Sequence, residues 1–203
     1  LDDSEFGVGF RVVPKTETSN LAFDVYLYDT LSGGGGYSEM AFKNIQEILQ
    51  NTLELLSDCK NNCESSCQHC LRHYRNQHIQ ERLDRHLGYD LLRYALEGEL
   101  NADLGKARQK TGTQALARLL EIDGAECLGE QNIDGVWLPQ VFCHEGQHVA
   151  IGVFPGLLNE ESSPPAYKAL DDNLDYQLIS INEYFLKRNL PEQHLKIRKA
   201  LSM

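Results

Sequence analysis

Four of the chain's six cysteines fall within the stretch "CKNNCESSCQHC", at Cys59, Cys63, Cys67 and Cys70, with spacers of three, three and two residues. Thiolates are soft donors, and a tetrahedral Zn²⁺ needs four of them converging at about 2.3 Å. The spacers "KNN" and "ESS" are polar and weakly helical, so they suit a segment that folds around an ion in place of a hydrophobic core. Four thiolates close the coordination shell and leave no position for a water nucleophile, which makes the expected role structural. A disulfide pair is the reading for an oxidising compartment, and nothing else in the chain resembles a small secreted scaffold. Zinc therefore leads, with an iron–sulfur cluster as the alternative four-cysteine cofactor. His69 and His73 stand close enough in sequence to replace one thiolate, but four cysteines already suffice. Cys127 and Cys143 lie far along the chain near strand ends and read as ordinary buried thiols.

The residues that follow the cysteines are the basic part of an acidic protein. Nineteen Lys and Arg against thirty Asp and Glu give a net charge of −11, so the chain as a whole repels a phosphate backbone. Any nucleic-acid contact must be local. From His69 to Arg93 the balance reverses, and Arg72, Arg75, Arg82 and Arg85 are the candidate DNA contacts. A solvated arginine face making ordinary salt bridges is the competing reading. Upstream, "YDTLSGGGGY" reads as strand, glycine turn and helix start, where the backbone of Gly34 and Gly35 could meet a phosphate. No Gly-Lys-Ser/Thr ends the run, so ATP binding is rejected, and Asp29 is expected to bond to the glycine loop itself.

These residues need elements to hold them. "FGVGFRVV" and "LAFDVYLYDTL" read as paired strands separated by "PKTETSN". Apolar residues from Tyr37 to Leu56 recur at helical spacing, and Ile79, Leu83, Leu87, Leu91 and Ala95 mark a second amphipathic helix ending near Gly98. The polar stretch 99–112 is the expected linker. Beyond it, "TQALARLLEIDG" predicts a helix, and "AECLGE", "GVWLPQVFCH" and "QHVAIGVFPGLL" predict three strands. A loop-like "NEESSPPAYKALDDN", a late strand in "YQLISINEYFL" and a closing helix in "LPEQHLKIRKAL" complete the pattern. The expected fold class is α+β: a four-cysteine zinc-binding domain over 1–98, a strand pair with zinc-clamped helices, then an α/β domain over 113–203. The opening "LDDSEFGVGFRVV" enters a strand pattern almost at once, which leads us to expect a piece of a longer polypeptide.

Taken together, "YDTLSGGGGYSE", the four cysteines and "CLRHYRNQ…LDR" resemble the zinc-binding domain that closes many superfamily-two DNA helicases. This is the type found in the mitomycin-repair helicase and in large antiphage proteins of the DISARM and Druantia systems. The resemblance covers roughly Phe23 to Leu96. It implies a zinc site at Cys59, Cys63, Cys67 and Cys70 in an accessory region of an ATP-dependent DNA helicase or translocase, with the motor domains of the same chain as partner. Helicase motifs are absent from these residues, so the segment itself is expected not to hydrolyse ATP. Where the family commonly has proline after the leucine of the glycine turn, this sequence has Ser32.

The order of helix, three strands, late strand and helix in 113–203 resembles a degenerate restriction-endonuclease-like core. Such nucleases hold a divalent metal on neighbouring acids beside a lysine. Asp134 and Glu145 are the available carboxylates, but "HVAIGVF" has no acid-x-lysine pair, so an inactive scaffold is expected. His144 and His148 in "HEGQH" share a zinc-protease spacing, yet Gly146 breaks the helix that motif requires. A metal-dependent DNA nuclease and a protein-interaction module binding a partner subunit remain the alternative functions, the second suited to the negative charge. No run is apolar and long enough for a membrane span and no signal peptide is visible, so a cytoplasmic protein is expected, and the helicase resemblance implies a role in antiphage defence or DNA repair.

Overall fold

In a computed structural model, the structure describes residues 6–14, 21–101, 103–159, 164, 167, 170 and 176–203. The expected turn at 15–20 and most of the loop-like stretch 159–173 lie outside the described residues. The chain divides into two compact units, 1–80 and 81–203.

The first unit opens with β1 (Phe6–Pro14) and β2 (Leu21–Asp29), paired antiparallel so that Phe10 faces Val25 and Val8 faces Leu27. Residues directly opposite share a face of the sheet. One face carries Val8, Phe10, Val12 and Val25, all at least half exposed. The other carries Tyr26 and Tyr28 lying across Gly9 and Gly7, where an added Cβ would come within 2.4 and 2.5 Å of the rings. Glycine in β1 thus makes room for tyrosine in β2, and Arg11 and Asp24 close the same face with an exposed ion pair at 2.9 Å.

The long helix expected after the glycine turn is two helices, α1 (Tyr37–Lys43) and α2 (Ile45–Ser57). Asn44 interrupts them at φ −111° and ψ 20°, and its side-chain amide donates to the Met40 carbonyl. Asparagine offers the backbone a local partner and so competes with helix continuation. Leu56 is buried on α2, whereas Ile48 of the apolar stripe stays open to solvent. The cysteine segment follows, and then a 3₁₀ segment, Tyr74–Arg82, kinked at Asn76.

In the second unit, α3 (Arg85–Glu97) starts later than the apolar spacing predicts. Asp84 is its N-cap, accepting from the N–H groups of His86 and Leu87, and Gly98 ends it in the left-handed conformation. Helix α4 (Lys106–Ile122) begins within the stretch expected as linker. Strands β3 (Glu126–Ile133), β4 (Val136–His144) and β5 (Gln147–Phe154) form an antiparallel meander, and β6 (Gln177–Asn182) adds to β5 in parallel. Both meander turns place their two central residues at positive φ: Asp134 and Gly135, then Glu145 and Gly146. This is the type I′ geometry whose twist matches that of the strands.

The short helix α5 (Glu183–Arg188) is capped by Asn182, and α6 (Leu190–Ala200) closes the chain. Strands β4 and β5 are buried on both faces, which explains their continuous apolar runs. Leu116 and Leu120 of α4 and Ile197 of α6 pack with Phe142, Ile151, Val153 and Ile181 on one side. Val141, Ala150 and Phe154 pack with Tyr167 and Leu170 on the other. The result is the mixed α/β architecture expected, with a strand pair first and a four-stranded sheet second. Among the described residues no helix is long and apolar enough to cross a membrane.

Candidate metal centre

The cysteine segment begins where α2 stops. Cys59 follows the α2 C-cap and is buried. The "KNN" spacer then turns sharply: Asn62 N–H donates to the Cys59 carbonyl at 2.6 Å, with Asn62 at φ 42°. Asparagine tolerates this left-handed conformation better than most residues do. A second turn joins Cys67 and Cys70, with the Cys70 N–H donating to the Cys67 carbonyl at 3.1 Å. The two turns bring four sulfurs from twelve residues to one point.

The Sγ atoms of Cys59 and Cys67 are 3.5 Å apart, those of Cys63 and Cys59 and of Cys63 and Cys70 are 3.7 Å apart, and those of Cys70 and Cys67 are 3.9 Å apart. All four lie within 4.8 Å of one another and none is in a disulfide. A tetrahedron of sulfurs at about 2.3 Å from a central ion has edges of about 3.8 Å. The observed separations therefore fit a single Zn²⁺. They leave no room for the several metal and sulfide atoms of an iron–sulfur cluster, so that alternative falls on geometry.

Backbone amides complete the sulfur environment. The Cys67 N–H donates to Cys70 Sγ at 3.2 Å, and the His69 N–H donates to Cys67 Sγ at 3.4 Å. Donation from the Asn61 backbone, with neighbouring thiols contributing, holds the Cys59 thiol down at about 6 against the cost of burial. Burial first, and then the bonded thiols around it, push Cys63 up to about 12. The Cys59 proton therefore leaves easily, whereas the Cys63 thiolate needs a cation beside it. A Zn²⁺ held by Cys59, Cys63, Cys67 and Cys70 would supply that charge and a rigid four-way joint.

His69 is exposed and takes no place in the sulfur group, and the Nδ1 of His73 accepts from the Arg75 N–H at 3.1 Å. Cys127 and Cys143 stand on β3 and β4 of the second unit, each part-exposed where the sequence led us to expect a buried thiol, and Cys127 Sγ donates to Gln140 Oε1 at 3.2 Å.

The candidate nucleic-acid residues fare unevenly. Arg75 and Arg82 are exposed, and Arg72 is half-buried with its Nε donating to Ser66 Oγ at 2.8 Å. Arg85, expected on the solvent face, is only 4% exposed, because the helix starts at Asp84 and turns that side chain inward. The glycine turn is also self-contained. Asp29 accepts from the Gly36 N–H at 3.1 Å and from the Ser38 N–H and hydroxyl, and Gly34 N–H donates to the Leu31 carbonyl. These bonds, led by that of the Ser38 N–H, hold the Asp29 carboxyl below its usual range. The Asp29 carboxylate thus takes the N–H groups that follow Gly34 and Gly35 at the start of α1.

In the second unit, Asp134 and Glu145 occupy the turns at opposite ends of β4, on the order of 25–30 Å apart for a nine-residue strand. They cannot share a metal ion. His144 and His148 also diverge: His144 Nδ1 lies 3.3 Å from the Leu201 carbonyl, and His148 packs on the Tyr176 ring. Sequence reading did not find an ionic cluster here. Arg108 donates to Glu183, which is 2% exposed, and to Asp90 at 3.0 Å, while Lys187 bonds to Glu183 and Asp84. Single charges separated by 75 positions carry no periodic signal by which they could be matched.

The site defines a class, a structural zinc-binding domain built on four cysteines, and residues 1–71 match the family described as MrfA Zn-binding domain. That span contains all four sulfur ligands. A curated relative, the Druantia protein DruE of Escherichia coli (strain UMEA 4076-1), is 43% identical over 202 residues, 99% of this chain. The chain spans 11% of that relative's length. No solved structure matches.

Proposed function

We propose that this region is a noncatalytic accessory part of an ATP-dependent DNA helicase or translocase acting in the cytoplasm in antiphage defence. The observation that carries the reading is the sulfur tetrahedron, set within a span that matches a zinc-binding domain in a chain that aligns almost end to end with part of a Druantia protein. DNA repair is the second setting, favoured by the MrfA-type match alone. Zinc binding in small domains contributes on the order of 10–16 kcal/mol, which exceeds many domains' whole net stability. The ion thus fixes the direction in which the chain leaves α2 and enters the arginine-bearing 3₁₀ segment.

The motor domains of the same longer polypeptide are the proposed partner. The uncovered apolar face of the β1–β2 hairpin is the surface we assign to them, since a two-stranded sheet needs packing to be stable. The nuclease alternative has no support from Asp134 and Glu145, which stand too far apart.

The test uses the longer polypeptide with Cys63→Ser and Cys70→Ser. Zinc content should fall by one ion per polypeptide, and DNA unwinding and protection from phage should be lost, while ATP turnover without DNA persists. Unwinding and protection at the level of the unaltered protein would overturn the reading.

A further inference from the structure

The residues around and after Cys70 form a cleft of about 600 Å³ lined by Gln68, Arg72, His73, Tyr74, Gln77 and Gln80. That size falls in the range of about 300–1,000 Å³ typical of small-ligand sites. None of the lining residues is acidic, in a chain with thirty acids and a net charge of −11. From Cys59 to Gln80 the charged side chains besides histidine and the four cysteines are Lys60, Arg72, Arg75 and Glu64, three cations to one anion, so even with the net −2 of a Zn²⁺ on four thiolates the stretch is neutral within a chain of net charge −11.

Tyr74 is 83% exposed. A lone exposed aromatic needs no explanation, but this one stands in a wall of amides and one anchored guanidinium. Arg72 is fixed twice: its N–H donates to the Cys67 carbonyl at 2.9 Å, and its Nε donates to Ser66 Oγ at 2.8 Å. Ser66 is itself buried and bonds to the Gln80 carbonyl at 3.4 Å. Asn76 pins the floor, accepting from the His73 N–H at 2.9 Å and donating to the Leu71 carbonyl at 2.7 Å. The Gln80 amide donates to the His73 carbonyl at 2.9 Å. The backbone beneath Tyr74 is thereby held while its ring is left open.

A π-face, a positioned cation and side-chain amides are what an unpaired nucleotide requires: stacking for the base, charge for the phosphate, and donors and acceptors for the base edge. We propose that this cleft binds single-stranded DNA, with Tyr74 stacking on one base and Arg72 contacting the adjoining phosphate. The proposal rests on the reading of the region as part of a DNA-directed motor, and adds a strand-gripping site set by the zinc turn. Every base offers a π-face to Tyr74, so the grip tolerates any sequence, with Gln68 and Gln77 at the rim able to donate to or accept from whichever base edge they meet.

The experiment uses the zinc-loaded longer polypeptide and two labelled probes, a 15-nucleotide oligo(dT) and an oligomer of equal length with abasic sites. Tyr74→Ala should weaken oligo(dT) binding about fivefold or more and leave the abasic oligomer unchanged, whereas Tyr74→Phe should bind both as the unaltered protein does. A 5-iododeoxyuridine probe should give a photoadduct on Tyr74. If Tyr74→Ala binds oligo(dT) normally and no adduct forms, while Arg72→Ala weakens both probes, the stacking site is overturned and the DNA reading stands. If the unaltered protein binds neither probe, both fall. If Tyr74→Ala spares DNA binding but strips a protein from the purified complex, the cleft is a protein-docking site and the proposal is overturned.

Discussion

His86 shows what a single ionisable group does to the second unit. Burial, and then the charges of Arg108, Arg85 and Lys187, push its imidazole down to about 4, with Asp84 opposing only in part. The unfolded chain binds that proton near 6.5, so between about 6.5 and 4 the unfolded state carries more protons than the folded state does. The contribution is therefore fully present above 6.5 and is lost as pH falls toward 4. Trp137, the chain's one tryptophan, lies on β4 and reports this unit. Its fluorescence melting temperature should fall steadily from pH 7 to 4.5, and His86→Gln should flatten that dependence. Equal slopes in the two proteins would show that His86 is solvated and uncoupled from the fold. At this scale the cysteines were legible because their chemistry is written in type and spacing alone. His86 and Arg85 were not, since their burial depends on where α3 begins and on charges that arrive from α4 and α5.

Elements were legible where one local rule governed and were misjudged where a side chain bonded to its own backbone. The hairpin strands follow from alternation, β4 and β5 from continuous apolar runs, and both I′ turns from Asp-Gly and Glu-Gly pairs. The two long helices predicted from apolar spacing break instead at Asn44 and Asp84, polar residues that satisfy backbone groups and end or restart a helix. The β1–β2 hairpin makes the complementary point. Its alternation marks an apolar face, and the structure leaves Phe10 72% and Val25 69% exposed on it. An exposed apolar sheet face promotes association. The 203-residue chain on its own should therefore self-associate in sedimentation, more strongly at high salt where its negative charges are screened. Phe10→Ser with Val25→Thr should return it to monomer without loss of zinc. A double variant that still associates would move the sticky surface elsewhere, to Met40 and Phe42 of α1 for example, which are also open.

At the scale of the whole molecule, charge decides how DNA can be held. A net charge of −11 gives no long-range attraction to phosphates, so binding must come from short contacts at the basic segment after the zinc turn. Arg72 and Arg75 are the two cations nearest the Tyr74 ring in sequence, and Arg85 is removed by burial. Each phosphate neutralised on a single strand contributes about −0.7 to the slope of log affinity against log salt. Two contacts predict a slope of about −1.4, far shallower than that of a protein which tracks the backbone with many lysines. Arg72→Ala with Arg75→Ala should bring the slope close to zero, while Tyr74→Ala should lower affinity at every salt concentration and leave the slope unchanged. The two variants thus separate charge from stacking in one titration. A steep slope that survives loss of both arginines would locate the phosphate contacts outside the zinc-proximal segment, and the acidic chain would then be held to DNA by the rest of the polypeptide.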